Sequence, residues 1–201
     1  MKMTKRVVYI HGKGGSPEEA GHYRALFRDA DVIGFDYRAQ TPWEAEEEFP
    51  ALYDAAVAGC RSACIIANSI GAFFALCSLG RSKIDRAFLI SPIVDMEALI
   101  LHMMTWANVT EQELREKREI PTDFGETLSW EYLCYTRKHP IVWPIPSHIL
   151  YGEKDHLTSR AAVAAFADKI GGTLTVMKGG EHWFHTDGQM SFLDEWIKAS
   201  S

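Results

Sequence analysis

The stretch Cys64–Leu76, "CIIANSIGAFFAL", decides how this chain is read. Its first half is short and apolar, as a buried strand is, and its second half is an apolar run long enough for a helix. Ser69 stands at the junction, with Asn68 before it and Ile70-Gly71 after it. Strand, sharp turn and helix in succession make the setting of the G-x-S-x-G elbow, in which the turn holds a serine out for chemistry. Small residues flank such a serine at minus two and plus two because strand and helix backbones close on each other there. Here the pattern is Ala67-x-Ser69-x-Gly71, with alanine in place of the first glycine. A serine that only caps a buried helix would give the same local pattern. The decision passes to the rest of the chain.

A nucleophilic serine needs a base to take its proton and an acid to orient that base. Beyond the strand candidate "SHILYG" (147–152) comes "YGEKDHLTS", which carries Asp155 in a loop leading to a helix. Beyond the strand candidate "TLTVMK" (173–178) comes "KGGEHWFH", with His182 just past a Gly-Gly turn. Ser69, Asp155 and His182 thus follow predicted strands at their C-terminal ends, where open α/β sheets build their sites. They also occur in the order Ser, Asp, His.

Further runs complete the pattern. "RVVYI" (6–10), "DVIGFDY" (31–37), "ACIIA" (63–67) and "RAFLI" (86–90) read as strands, several of them apolar on both faces, as strands covered by helices on both sides should be. Helical patterns alternate with them, the signature of parallel βαβ units. Ser16-Pro17-Glu18-Glu19, Thr41-Pro42-Trp43-Glu44 and Thr110 with Glu113 read as capped helix starts. The acidic run Glu44–Glu48 reads as a first turn that complements the helix dipole rather than as a metal site. The interval 93–145 breaks the alternation. It shows no strand signal and reads as short helices, "DMEALILHMMTWA", "TEQELREKREI" and "SWEYLCYTRK", closed by the return "HPIVWPIPS".

With these motifs in place the chain resembles the α/β-hydrolase fold family, from "VVYIHGKGGS" through "ANSIGA" and "GEKD" to "GGEHWF". The resemblance implies an α/β fold with a mainly parallel six-stranded sheet flanked by helices, one domain over 1–201 with a helical cap insertion at about 93–145, and no counterpart of the first two strands of longer members. It implies Ser69 as nucleophile, His182 as general base and Asp155 as the group that orients the histidine. It also implies an oxyanion hole made by the main-chain N–H groups of Lys13 and Ile70. His182 matches the family's position directly after the last strand's turn, so it is preferred to His185. His156 reads as a solvated neighbour of Asp155, and Asp95 as the cap of the first insertion helix. His182 and His185 as metal ligands lack a third ligand at convincing spacing.

The expected activity is that of a carboxylesterase-like serine hydrolase on a small-molecule acyl substrate, without cofactor or metal. A non-hydrolytic protein of the same fold, whether lyase, synthase or ligand-binding module, is the alternative. The insertion carries Met103, Met104, Trp106, Trp130, Tyr132 and Trp143, which either pack it or line an apolar pocket. Met103, Trp106 and Trp183 are the candidate substrate-binding residues.

The loop "HGKGGS" (11–16) first invites a phosphate-cradle reading. A P-loop needs Gly-Lys-Ser/Thr in succession, whereas Gly14 follows Lys13; a dinucleotide loop meets Pro17 where the third glycine belongs. What remains is a set of main-chain N–H groups suited to negative charge.

Composition sets the outer bounds. The 201 residues suit one α/β core, with 47% hydrophobic and 24% charged residues. Twenty-one Lys+Arg against 27 Asp+Glu give a net charge of -6, a poor match for nucleic acid or an anionic membrane. The basic start "MKMTKR" precedes an apolar run too short for a signal peptide, and Ser62–Gly80 is too polar for a membrane span, so a cytoplasmic protein is expected. The four cysteines, Cys60, Cys64, Cys77 and Cys134, form no C-x-x-C pair and read as buried reduced thiols.

Overall fold

Runs rich in Val, Ile, Ala and Phe cannot leave their backbones half paired inside a protein, and here six of them share one sheet. The computed structural model describes residues 5–200, so the Met1–Thr4 part of the basic start lies outside the described residues. In chain order the elements are β1 (Lys5–Ile10), α1 (Ala20–Tyr23), β2 (Ala30–Gly34), α2 (Pro42–Val57), β3 (Ser62–Asn68), α3 (Ser69–Ser78) and β4 (Arg86–Ile90). There follow α4 (Met96–Trp106), α5 (Glu111–Lys117), β5 (Glu119–Pro121), β6 (Thr127–Ser129) and α6 (Trp130–Lys138). The chain closes with β7 (Ser147–Gly152), α7 (Arg160–Ile170), β8 (Thr173–Met177) and α8 (Asp187–Ser200). The large sheet has the order β2-β1-β3-β4-β7-β8, and every pairing in it is parallel.

The chain divides into two compact units, one running to Val94 and resuming at Val142, the other Asp95–Ile141. In the first unit the central strands β1, β3, β4 and β7 are buried on both faces. Val7, Tyr9, Ile66, Phe88 and Leu150 point to one face, where Tyr23, Phe27, Leu193, Trp196 and Ile197 of the α1 and α8 regions join them in one core. The alternate residues Val8, Ile10, Ile65, Ala67, Leu89 and Ile149 are equally buried on the other face. Right-handed crossovers put α2, α3 and α7 there. β1 pairs with β2 on one side and β3 on the other, so the chain reverses its direction of travel across the sheet at the β1/β3 boundary. Open α/β sheets bind ligands in the crevice at that switch point, outside the strand C-termini.

The helix starts carry the expected boxes. Thr41 Oγ1 accepts the Glu44 N–H at 3.3 Å while Glu44 Oε2 accepts the Thr41 N–H at 3.0 Å, and Thr110 and Glu113 repeat the exchange. Glu48, part of the acidic run, spends its carboxylate on the Arg38 and Ala39 N–H groups.

The second unit departs from the helices-only expectation for 93–145. α5 stops at Lys117, Arg118 takes a φ of 68°, and Glu119–Pro121 pairs antiparallel with Thr127–Ser129. Strands of three residues are too short to show a period-two pattern, which is why the sequence reads as helix there. Leu114, Leu128 and Leu133 of this unit are fully buried, and Arg137 bridges Glu97 and Glu111. Trp143, read with the insertion, belongs instead to the first unit, where it is buried and its Nε1 donates to Ser147 Oγ at 2.8 Å.

β2 ends at Gly34 rather than at Tyr37, although Phe35 N–H still reaches Tyr9 O at 2.8 Å. The cysteines are half-buried rather than buried. Desolvation pushes the Cys64 thiol up to about 11 and the Cys77 thiol up to about 12.

Candidate active site

Ser69 begins α3 directly from the end of β3, and its backbone is forced into the left-handed region at φ 51°. A residue other than glycine pays for that conformation with strain, which tends to gather at functional sites. The turn is as tight as the small flanking residues imply. A Cβ on Gly71 would lie 2.0 Å from the His11 carbonyl oxygen, and one on Gly12 would lie 3.3 Å from Ser69 Cβ. Ala67, at minus two, is completely buried, so its methyl group fits where the common pattern has glycine.

The loops after β7 and β8 meet each other. Lys154 N–H donates to Gly180 O at 2.7 Å and Glu153 N–H to Met177 O at 3.0 Å, lacing the two together. Phe184 anchors the second loop in the core. Asp155 and His182 are carried on this pair of loops.

Ser69 Oγ lies 2.7 Å from His182 Nε2, and His182 Nδ1 lies 2.7 Å from Asp155 Oδ2. Because the carboxylate can only accept, Nδ1 carries the proton and Nε2 is left to accept from the serine hydroxyl. The Asp155 side chain is 0% exposed against 19% for His182. Asp155 Oδ1 is occupied by the N–H groups of Leu157 at 2.8 Å and Thr158 at 3.2 Å, which fixes the carboxylate's orientation. Chemically, this arrangement can draw a proton from Ser69 and hold the resulting imidazolium against a buried carboxylate.

Two further features concern negative charge. Ile70 sits in the first turn of the ten-residue helix α3, where an N–H has no intrahelical acceptor, and the Asn68 side chain does not cap it. Lys13 lies in the loop after β1, next to Gly12, on the neighbouring strand of the switch point.

The other residues singled out in the sequence lie as follows. His185 engages its own loop, its Nδ1 donating to Trp183 O at 2.7 Å and its ring stacked on Trp183 at 4.7 Å. Trp183 is 69% exposed. His156 is exposed, and Asp95 caps α4 by accepting the Ala98 N–H at 2.9 Å. Met103 and Trp106 are on α4 of the second unit, with Trp106 edge-on to Phe124. Among the described residues no group of three or more His, Cys, Asp or Glu is placed to hold a metal ion. No helix among them is long and apolar enough to cross a membrane.

No sequence motif singles out the side chains of His11 and Tyr37, whose rings stack at 4.4 Å, or of Tyr9, which donates to Glu19 at 2.5 Å. His11 stands next to the glycine loop in the sequence and could have drawn notice there, but nothing local ties Tyr37 to it.

No protein-family model matches the sequence, and no curated protein does. Solved structures do. Est1E from Butyrivibrio proteoclasticus, with ferulic acid bound, superposes with a TM-score of 0.74 at 16% identity, covering 98% of this chain and 88% of that one. Alpha/beta hydrolase domain-containing protein 10 from mouse gives 0.74 at 15% identity over 97% and 88% of the two chains. The esterase Pf2001 of Pyrococcus furiosus gives 0.60 at 17% identity over 98% and 83%. With its parallel sheet, its switch point and these likenesses, the chain has the α/β-hydrolase fold.

Proposed function

We propose that the protein is a serine hydrolase that cleaves a small carboxylic ester or related acyl compound through an acyl-enzyme intermediate. The observation that carries this reading is the continuous chain Ser69–His182–Asp155, 2.7 Å at each link, ending on a carboxylate closed off from solvent. A pure binding role would give no reason for all three groups in that order.

In this reading His182 Nε2 takes the Ser69 proton as Oγ attacks the substrate carbonyl carbon. The electron pair of the C=O bond moves onto oxygen, and the N–H groups of Lys13 and Ile70 stabilise that oxyanion. Such donors contribute because they are already oriented when charge develops. His182 then protonates the leaving alkoxide, which departs as alcohol. Water, deprotonated by the same nitrogen, attacks the acyl-serine, and collapse of the second tetrahedral species returns the proton to Ser69 and releases the acid. Asp155 holds the imidazole in the Nδ1–H tautomer throughout.

Est1E is described with ferulic acid bound, so aromatic esters belong beside short aliphatic ones in the first substrate panel. The binding roles read for Met103, Trp106 and Trp183 are part of the same proposal, and each predicts a KM that rises on replacement by alanine. A cytoplasmic location is part of the same proposal, and half-buried thiols without a C-x-x-C pair suit a reducing compartment.

The test is Ser69→Ala against p-nitrophenyl esters of graded chain length and against a fluorophosphonate probe. Turnover and labelling should both disappear. Undiminished turnover in that variant overturns the reading, and a wild type inert to panel and probe alike favours a non-hydrolytic protein of this fold.

A further inference from the structure

The loop that carries Lys13 is held by side chains at two successive carbonyls. The Gly12 oxygen accepts the Gly15 N–H at 3.2 Å and the His11 Nδ1 at 2.8 Å. A carbonyl only accepts, so His11 Nδ1 bears a proton. The C=O and N–H of one planar peptide point to opposite sides. Holding the Gly12 oxygen therefore sets the direction of the Lys13 N–H.

The preceding carbonyl is held as firmly. Tyr37 Oη donates to His11 O at 2.9 Å, and the two rings stack with centroids 4.4 Å apart and planes 17° from parallel. The same oxygen lies so close to α3 that a Cβ on Gly71 would come within 2.0 Å of it. Tyr37 is wedged edge-on against Phe49 at 5.0 Å and Phe74 at 6.2 Å. Phe74 belongs to α3, the helix that Ser69 begins. The loop is thereby referenced to the same rigid element as the nucleophile.

We infer that His11 and Tyr37 are positioning residues that aim the Lys13 main-chain N–H at the oxyanion of the proposed serine hydrolase, the inference resting on that reading. His11 acts through its Nδ1–H on the Gly12 carbonyl, and Tyr37 acts by holding both the His11 ring and the His11 carbonyl. Neither side chain touches the reacting atoms. The Nδ1–H donor is present in neutral and protonated imidazole alike, so the clamp does not switch with pH. Burial pushes the Tyr37 phenol well above its ordinary range, so it remains a donor throughout.

Two variants each remove one donor and keep the stack, His11→Phe and Tyr37→Phe. His11→Asn sacrifices the stack but offers an amide N–H close to the place of Nδ1. Turnover of p-nitrophenyl acetate is measured per site titrated with a fluorophosphonate, alongside Tm, pH profile and the Ki of a trifluoromethyl ketone that forms a tetrahedral adduct. Misaiming one oxyanion donor should lower kcat by about tenfold, with KM within about twofold, and raise Ki by about the factor that kcat loses. The pH profile should keep its shape, and His11→Asn should recover most of kcat. The double variant should lose less than the product of the single losses, because both side chains hold one loop.

A merely structural role would lower Tm and the fraction of titratable sites while leaving kcat per site unchanged, and that result overturns the inference. Wild-type turnover that depends on Ser69, with both phenylalanine variants within about twofold of it, overturns the clamp alone. A wild type with no turnover or labelling dependent on Ser69 overturns the hydrolase reading and removes the clamp's role with it.

Discussion

The Gly71 Cα faces the His11 carbonyl so closely that the smallest side chain at Gly71 would place a carbon 2.0 Å from that oxygen. The end of β1 and the first turn of α3 are locked together by the absence of one methyl group. Gly71→Ala cannot be absorbed by rotating a side chain, because the obstacle is backbone on both sides. Against a gain of about 0.5–1 kcal/mol from a better helix former, the overpacking should cost about 1–3 kcal/mol or more. Thermal melts should show a lowered Tm, and any folded fraction should have a reduced kcat because the loop carrying Lys13 has moved. Ala67→Gly is the companion variant: it should cost only about 0.5–1 kcal/mol and keep activity. Equal effects of the two substitutions would contradict this account.

Asp155 accepts three hydrogen bonds and donates none. In Asp155→Asn the amide keeps the shape but can offer an N–H toward His182, which favours the wrong tautomer. The expected loss in kcat is on the order of 10³–10⁴-fold, with the protein still folded. Steady-state kinetics beside circular dichroism checks both halves. A loss below about tenfold would place the orientation of His182 elsewhere.

Ser69 is held at φ 51°, where an L-residue is strained. Left-handed backbone costs a residue with a Cβ about 1–2 kcal/mol, and glycine recovers that minus its own entropy cost of about 0.5–1 kcal/mol. Comparing Ser69→Gly with Ser69→Ala cancels the lost hydroxyl. The glycine variant should melt about 1–3 °C above the alanine variant for a chain of this size. The same or a lower Tm would show that the neighbouring residues, and not the backbone, set the stability of the turn.

His148 sits in β7 with its Nδ1 2.7 Å from Thr173 Oγ1. Desolvation, followed by the charge of Arg86, lowers its pKa. The sign follows from which state binds the proton better. The unfolded chain protonates its histidine at about 6.5, while the folded protein resists, so stability falls as pH drops below that value and levels off once the folded form titrates as well. His148→Gln should flatten the fall in Tm between about pH 7 and pH 5. An unchanged slope would assign the acid sensitivity to other groups.

Most of the sheet was legible because a parallel strand covered on both faces is apolar along its whole length, and β4 and β7 were read to the residue. β2 was read too long: Phe35 and Tyr37 are apolar enough to continue a strand, yet Tyr37 turns to meet His11 instead of the next rung. That contact joins residues with no shared local pattern, so no periodicity could announce it. The hairpin β5–β6 escaped for the opposite reason, its strands being shorter than any period they might display. That Ser69, Asp155 and His182 meet was legible through chain order, since each follows a strand and the sheet sets which strand ends come together. The clamp of His11 on Gly12 O lies within two adjacent residues, but only the fold reveals that the ring is held there by Tyr37.

The all-parallel sheet has a kinetic consequence. A parallel ladder cannot be closed by a tight turn, so every pairing of the large sheet must await a crossover. Lys5 finds Ala30 on one side and Ser62 on the other only after the intervening chain has been gathered in. The antiparallel ladder of Glu119–Pro121 with Thr127–Ser129 is closed by a short turn, which costs little loop-closure entropy. Refolding of the sheet should therefore run slowly, in the millisecond-to-second range typical of non-local topologies. In pulse-labelling exchange, amides of that hairpin and of α2 should gain protection before those of β1, and the site, which needs β1, β3, β7 and β8 together, should be the last part of the molecule to assemble.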